Sequence, residues 1–352
     1  MKIPYDRLRK LSTAIFAAAG CDQAEADRIS HYLVEANLAG HDSHGVLRIP
    51  SYVDWLRTGK VHANKVIKIV FENEVIAVAD GEFGFGQTVG EQAMKLGIAK
   101  SERHGVSVVA LRNSGHLGQI GAWALMAAKA NRISIHFVNT SGAGILVPPH
   151  GGISRRISAN PIAAGIPIQN GSPLILDIST STIAEGKIRL ALNQGVPVPD
   201  HCIIDALGRP TNDPKVFYGN PPGAILPFGG HKGYGLAMIA EMLAGALTGS
   251  SCSNPSATRV VNGMLTIFLS PRFFVTEHEF YDEARRFIAY VKSSEKISPD
   301  ADILMPGEME ERTRQQRLRE GIEVDDTTWN QILATCRALQ LTRQMKEMGF
   351  PE

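Results

Sequence analysis

The sequence predicts a mixed α/β or α+β fold. Helix-period and strand-period segments alternate from one end of the 352 residues to the other. Hydrophobic residues make up 44% and charged residues 20%, an ordinary globular composition that argues against disorder. At roughly 100–200 residues per domain, the length suggests about two domains.

The elements follow in order. Tyr5, Leu8, Leu11, Ile15 and Ala18 recur at helical spacing, and Gly20 ends that helix. Asp22-x-x-Glu25 starts a second helix as a capping-box-like signal, with Ile29, Leu33 and Ala36 on one face and Gly40 closing it. His41–Pro50 is polar and glycine-bearing, a loop or a new helix start. Val66–Val70 and Val75–Ala79 read as strands, Gln87–Arg103 as a helix and Val106–Leu111 as a strand. Gln119–Asn131 is helical by pattern and Ile133–Val138 is a strand. Short strands follow near Ile162–Ile168 and Leu174–Ile178, then a helix over Thr182–Asn193. Tyr234–Leu247 reads as a buried apolar helix and Leu265–Leu269 as a strand. Helical periodicity dominates from Glu277 onward.

Composition excludes some functions. With 36 Lys+Arg against 35 Asp+Glu there is no broad basic field for nucleic acid or an anionic membrane. The apolar stretch Tyr234–Gly249 contains Glu241 and is too short to span a bilayer. Cys21, Cys202, Cys252 and Cys336 form no C-x-x-C pair, which fits a reducing cytoplasm. No metal site is expected, because no H-E-x-x-H or carboxylate-bearing ligand pattern accompanies the histidines. No G-x-S-x-G elbow suggests a serine hydrolase.

Four segments could carry chemistry. In His41-Asp42-Ser43-His44-Gly45, a helix beginning near Ser43 would put His44, Arg48 and Tyr52 on one face. A histidine moves a proton near neutral pH, an arginine holds a carboxylate in two places and a tyrosine bonds another oxygen. That trio suits a carboxylate beside a carbonyl or alcohol; a polar cap before an amphipathic helix explains it equally. Asn113–Gln119, with His116, follows a strand and precedes a helix, where α/β proteins place sites, but a plain turn is the alternative. Gly84-x-Gly86-x-x-x-Gly90 has the wrong spacing for a Rossmann fingerprint. Gly229-Gly230-His231-Lys232 opens the apolar helix and could cradle phosphate or simply enter the helix. Leu174–Ser181 is a strand ending in Asp177 and hydroxyls, suited to ribose or to helix capping.

Taken together, AGHDSHGVLRIPSY at 39–52, NSGHLGQIG at 113–121, ANPIAAGIP at 159–167, LDISTSTIAEGK at 176–187, GVPVP at 195–199, GGHKGYGLA at 229–237 and PGE at 306–308 resemble the non-Rossmann malate/L-lactate dehydrogenase-type oxidoreductases nearly end to end. The ending LMPGEMEERTRQQRLREGI looks most like the hydroxycarboxylate dehydrogenase B subgroup. The resemblance implies a cofactor domain on a large, mostly antiparallel sheet over about 106–274. A helical substrate and dimerisation region would comprise 1–105 plus 275–352. It implies a homodimer, NAD or NADP as cofactor, and a small 2-oxo or 2-hydroxy acid as substrate. It implies Ser43, His44 and His116 as catalytic positions, with either histidine as the acid/base, and Arg48 and Tyr52 facing the substrate. Gly118, Gln119, Ile120, Leu176, Asp177, Ile178, Ser179, Thr180, His231, Lys232, Pro306, Gly307 and Glu308 are the implied cofactor contacts. Cyclic 2-imino acids present the same carboxylate, and a non-catalytic relative is a further alternative. Two departures bear on substrate choice: Ala159-Asn160-Pro161 where many members have Thr-Asn-Pro, and His150 where many have an aromatic residue.

Overall fold

The computed structural model describes residues 1–142 and 144–350. The chain opens with β1 (Lys2–Ile3), α1 (Tyr5–Ala18) and α2 (Gln23–Leu38). Two 3-10 turns, Asp42–His44 and Val46–Arg48, lead into α3 (Ile49–Arg57). Then come β2 (Lys68–Glu72), β3 (Ile76–Asp80), α4 (Gly86–His104), β4 (Val106–Ser114), α5 (Gly121–Lys129), β5 (Ile133–Ser141), β6 (Ile162–Ile166), β7 (Leu174–Ile178) and α6 (Glu185–Gln194). A small lobe holds β8 (Ile203–Ile204), β9 (Pro210–Thr211), α7 (Pro214–Phe217) and β10 (Ala224–Ile225). Helix α8 (His231–Ala240) runs into a π-helical segment, Glu241–Leu247, before β11 (Val261–Leu269). The chain ends with α9 (Glu277–Lys292), α10 (Glu308–Glu320), β12 (Ile322–Glu323), α11 (Asp326–Ala338) and α12 (Thr342–Glu347).

Seven strands form the central sheet in the order β2-β3-β4-β11-β5-β6-β7. β3 and β4 run parallel and every other neighbouring pair is antiparallel. The large, mostly antiparallel sheet is therefore present; β3 and β4 are its parallel pair, joined through α4, and the glycines that enter that helix pack against protein, since a methyl on Gly86 would overlap the His116 carbonyl.

Alternation along β11 separates the two faces of the sheet. Met264 and Phe268 face the core under α4 and α5, which includes Val89, Met94 and Trp123. Gly263 faces the other way. A methyl there would overlap the Ala244 carbonyl, so glycine allows the π-helical segment to lie on the strand.

A second core joins α1, α2, α3 and α11 through Leu8, Leu11, Ile15, Ile29, Leu33, Ile49, Trp329 and Ile332. Lys2 pairs with Glu323 and Ile3 with Ile322, so the start of the chain and its last helices form one body. A third core lies under α6 and the small lobe, around Ile188, Ile203, Phe217 and Ile225.

Several sequence expectations shift. No single helix starts at Ser43; Gly45 at ψ −150° breaks the run into two 3-10 turns. A methyl on Gly45 would overlap the Asn37 side chain, which fills the break. The apolar helix starts at His231, three residues earlier than its hydrophobic pattern, and is not wholly buried. Leu236, Ile239, Met242 and Leu247 are exposed. Glu241 in that segment is buried and accepts from Asn139 Nδ2 at 3.1 Å and Asn160 Nδ2 at 2.5 Å. Helices α5 and α6 start two and three residues later than their patterns, after Ile120 and Ala184. No helix among the described residues is long and apolar enough to cross a membrane.

Candidate active site

The site begins with the segment between α2 and α3. Asn37 is buried on the last turn of α2. Its Oδ1 accepts the Val46 amide at 2.8 Å and its Nδ2 donates to Asp42 Oδ1 at 2.6 Å. From α10, Arg317 donates to both carboxylate oxygens of Asp42, at 2.6 and 3.0 Å. A forked pair of this kind fixes orientation as well as distance. Ser43 and His44 follow Asp42 directly, so their backbone is held from both sides.

Ser43 Oγ lies 3.0 Å from His44 Nδ1. Arg48 Nε donates to the Ser43 carbonyl at 2.7 Å, which draws the guanidinium back over the same turn. His116, from the loop after β4, stacks on His44 with ring centroids 5.6 Å apart and planes 13° from parallel. The Tyr52 hydroxyl lies 2.7 Å from His116 Nδ1, and Gln87 Nε2 donates to that hydroxyl at 3.2 Å. Tyr52 is 1% exposed. Its hydroxyl is engaged by His116 and Gln87.

The electrostatics follow from packing and from Arg48. Both imidazole rings sit deep in the protein, each with a partly exposed edge. Burial, then the charge of Arg48, then His41, lowers the His44 pKa to about 3. Burial, Arg48 and His44 hold His116 well below the usual histidine value. Burial pushes Tyr52 up to about 12. Both rings are therefore neutral, and Arg48 is the cation beside them. A carboxylate bound to Arg48 would offset that charge and make protonation of His44 easier.

The strand-end residues form a neighbouring wall. A methyl on Gly186, in the first turn of α6, would overlap the Ser43 side chain, so that helix terminus abuts the histidine turn. Asp177 Oδ2 accepts the Gly121 amide at 2.9 Å and so caps α5. Burial raises the Asp177 pKa despite His41 and that amide. Gly118 takes a left-handed φ of +72°, and Ile120 packs into the core, its carbonyl accepting the Trp123 amide at 3.0 Å. Leu176 is exposed on β7 and Ile178 half-buried.

Ser179 Oγ lies 2.7 Å from Ser181 Oγ and donates to the Ala159 carbonyl at 3.1 Å. Thr180 is 1% exposed, and its hydroxyl has no partner among the described residues. Its carbonyl accepts the Phe228 amide at 3.1 Å, which brings it to the entry of α8. There Gly229 and Gly230 have φ of +56° and +62°, and His231 and Lys232 form the first turn without a side-chain cap. His150 stands beside His231, with ring centroids 6.0 Å apart. The Pro306 carbonyl accepts the Ile175 amide at 3.0 Å, so residues 306–308 dock on β7. The Glu308 carboxylate accepts the Met305 amide at 3.0 Å and pairs with Lys292. Among the described residues no group of three histidine, cysteine or carboxylate side chains could hold a metal ion.

Ser43, His44, Arg48, Tyr52 and His116 thus converge, while the other predicted positions line the wall from α5 to α8. Sequence reasoning missed Asn37, Gln87 and Arg317. Asp42 lay inside the first motif without a role, and its partner lies 275 residues away.

The mostly antiparallel sheet, with a histidine pair and an arginine on the turns and loop beside it, is the arrangement of the non-Rossmann dehydrogenase class. The chain belongs to the malate/L-lactate dehydrogenase family, which it matches over residues 3–333. It is 40% identical to hydroxycarboxylate dehydrogenase B of Escherichia coli K12 over 98% of this chain and 94% of that protein. The sulfolactate dehydrogenase structure of Methanocaldococcus jannaschii superposes with a TM-score of 0.85 at 36% identity, covering 97% of this chain and 98% of that one. The delta1-piperideine-2-carboxylate reductase structure of Pseudomonas syringae gives 0.80 at 28% identity, covering 95% and 99%.

Proposed function

We propose that this enzyme transfers a hydride between NAD(P)H and a small 2-oxo or 2-hydroxy acid, with His44 as the proton donor and acceptor. The observation that carries the reading is the His44–His116 stack packed around Arg48. The cofactor assignment is supported by the orphaned Thr180 hydroxyl and by the uncapped start of α8 beside Lys232, donors that suit ribose and phosphate oxygens. When bound, the nicotinamide supplies or takes the hydride.

The residues divide the remaining work. Beyond its bond to the Ser43 carbonyl, Arg48 has terminal nitrogens without partners among the described residues, free to grip the substrate carboxylate. That grip aims the carbonyl and neutralises the charge that, after burial, does most to lower the His44 pKa. His44 then gives its proton to the developing alkoxide, a contribution of about 10²–10⁴-fold. Ser43 holds Nδ1, so the imidazole keeps its aim in either charge state. In the reverse direction His44 takes the alcohol proton.

NAD is the first choice over NADP. A homodimer is proposed, with the exposed Leu236, Ile239, Met242 and Leu247 as the apolar surface that a second copy would cover. Cytoplasmic residence fits the four free cysteines.

The likeness to a piperideine-2-carboxylate reductase favours one alternative, reduction of cyclic 2-imino acids. The test is loss of reduced-nicotinamide absorbance, NADH and NADPH in parallel, against 2-oxo acids and cyclic 2-imino acids. Turnover with an oxo acid is the expected result. Turnover with imines alone would transfer the protein to the alternative, and binding of cofactor without turnover of any acid would overturn both.

A further inference from the structure

The hydrogen bonds around Gln87 carry an inference about the second histidine, which rests on the proposed reaction only for its substrate. Gln87 is 1% exposed, on the first turn of α4. Its Nε2 faces two oxygens, the Tyr52 hydroxyl at 3.2 Å and the His116 carbonyl at 3.5 Å. A carbonyl oxygen only accepts, so the amide presents its NH2 group there, while its buried Oε1 has no partner among the described residues; the reverse orientation would set two acceptors against each other. The Tyr52 oxygen therefore receives a proton from Gln87. Its own proton points to His116 Nδ1, 2.7 Å away. Nδ1 is then an acceptor, and the proton of the neutral ring sits on Nε2.

Charging His116 would require a proton on Nδ1. The Tyr52 hydroxyl would have to turn away, and Gln87 offers it only another N–H. His44 is under no such restriction, because the Ser43 hydroxyl beside its Nδ1 can either donate or accept. The titratable and charged groups facing His116 are Arg48, His44 and Tyr52, and none is an anion that would favour imidazolium.

We propose that Gln87, acting through Tyr52, is a positioning residue that locks His116 as the Nε2–H tautomer, a fixed hydrogen-bond donor to the substrate's carbonyl oxygen. The two stacked rings then have different tasks. His44 changes charge and carries the proton. His116 keeps its proton throughout, and its hydrogen bond strengthens as negative charge develops on the oxygen.

The experiment uses full-length protein labelled with 15N-histidine, with the His116 signals assigned by their loss in His116→Asn. The wild-type ring is expected to be neutral and protonated on Nε2 from pH 5 to 8. In Gln87→Glu the carboxylate accepts the Tyr52 proton, so Tyr52 accepts from Nδ1. The ring should move to the Nδ1–H tautomer or to imidazolium, and a new ionisation should enter the pH profile of kcat/KM. In that variant kcat should fall about tenfold or more, with affinity for reduced nicotinamide unchanged. Tyr52→Phe, which leaves Nδ1 without its donor, should give a mixture of tautomers and serves if Gln87→Glu does not fold. An Nδ1–H ring in the wild type, or an unaltered ring in both variants, would overturn the proposal. If the tautomers behave as expected while no oxo or imino acid is turned over, the Gln87 relay stands and the functional reading falls.

Discussion

In the proposed reaction, Arg48 is the residue on which substrate recognition turns. Its Nε is held by the Ser43 carbonyl at 2.7 Å, so the guanidinium plane is set before any ligand arrives. It is also the leading charge that lowers His44 and His116. Replacing it with lysine keeps the charge and loses the fork. Arg48→Lys should therefore raise KM for the acid substrate by about ten- to a hundredfold, roughly the worth of a charge-assisted bond. Affinity for the reduced cofactor should stay the same. Steady-state kinetics beside a cofactor titration decide the matter; an unchanged KM would remove the clamp role. Ser43, His44, Arg48 and His116 were legible in the sequence because proton transfer and carboxylate binding demand those side chains in short motifs. Gln87 was not. An amide acting through a second side chain leaves no pattern of its own.

At the scale of elements, the turn that carries Ser43 and His44 is braced from the far end of the chain. Helix α10 reaches α2 and the first 3-10 turn through Arg314 to Glu35 at 3.1 Å and Arg317 to Asp42 at 2.6 and 3.0 Å. Such half-exposed pairs add little to global stability. Their effect lies in geometry, since Asp42 carries Ser43 and His44. Arg317→Met and Asp42→Asn should each lower kcat about tenfold, by letting the turn drift from its near-attack position. The double variant should be no worse than either single one, because both remove the same contact. Urea midpoints should move little. Additive losses in kcat would show that the two residues act separately. The elements themselves were mostly readable, since α1, α2, α4 and the sheet strands follow hydrophobic period. The turn at Gly45 was not, because Asn37 and Gly45 compete for one volume that the linear pattern does not show. The π-helical segment was also hidden, as it depends on Glu241 meeting Asn139 and Asn160 across the sheet.

For the whole molecule, buried histidines make stability depend on acid. His136 lies wholly inside the central sheet, with its ring nitrogens at 3.1 Å from Thr266 Oγ1 and 2.8 Å from Ser134 Oγ. Burial lowers its pKa to about 3. The unfolded chain binds that proton near pH 6.5, its ordinary value. A depressed folded value means the stabilisation is fully present above about pH 6.5 and is lost as pH falls toward 3. Over that window the slope from one such site approaches about 1.4 kcal/mol per pH unit. His44, lowered to about 3, and His116, held well below its ordinary value, act in the same direction. Urea unfolding between pH 7.5 and 4 should therefore show stability falling with acid. His136→Gln keeps a hydrogen-bonding side chain but cannot titrate, so it should remove about one proton from the uptake on unfolding and flatten the curve below pH 6.5. An identical slope in wild type and His136→Gln would mean that this ring stays protonated in the folded protein, held by the Ser134 and Thr266 hydroxyls as a charged donor.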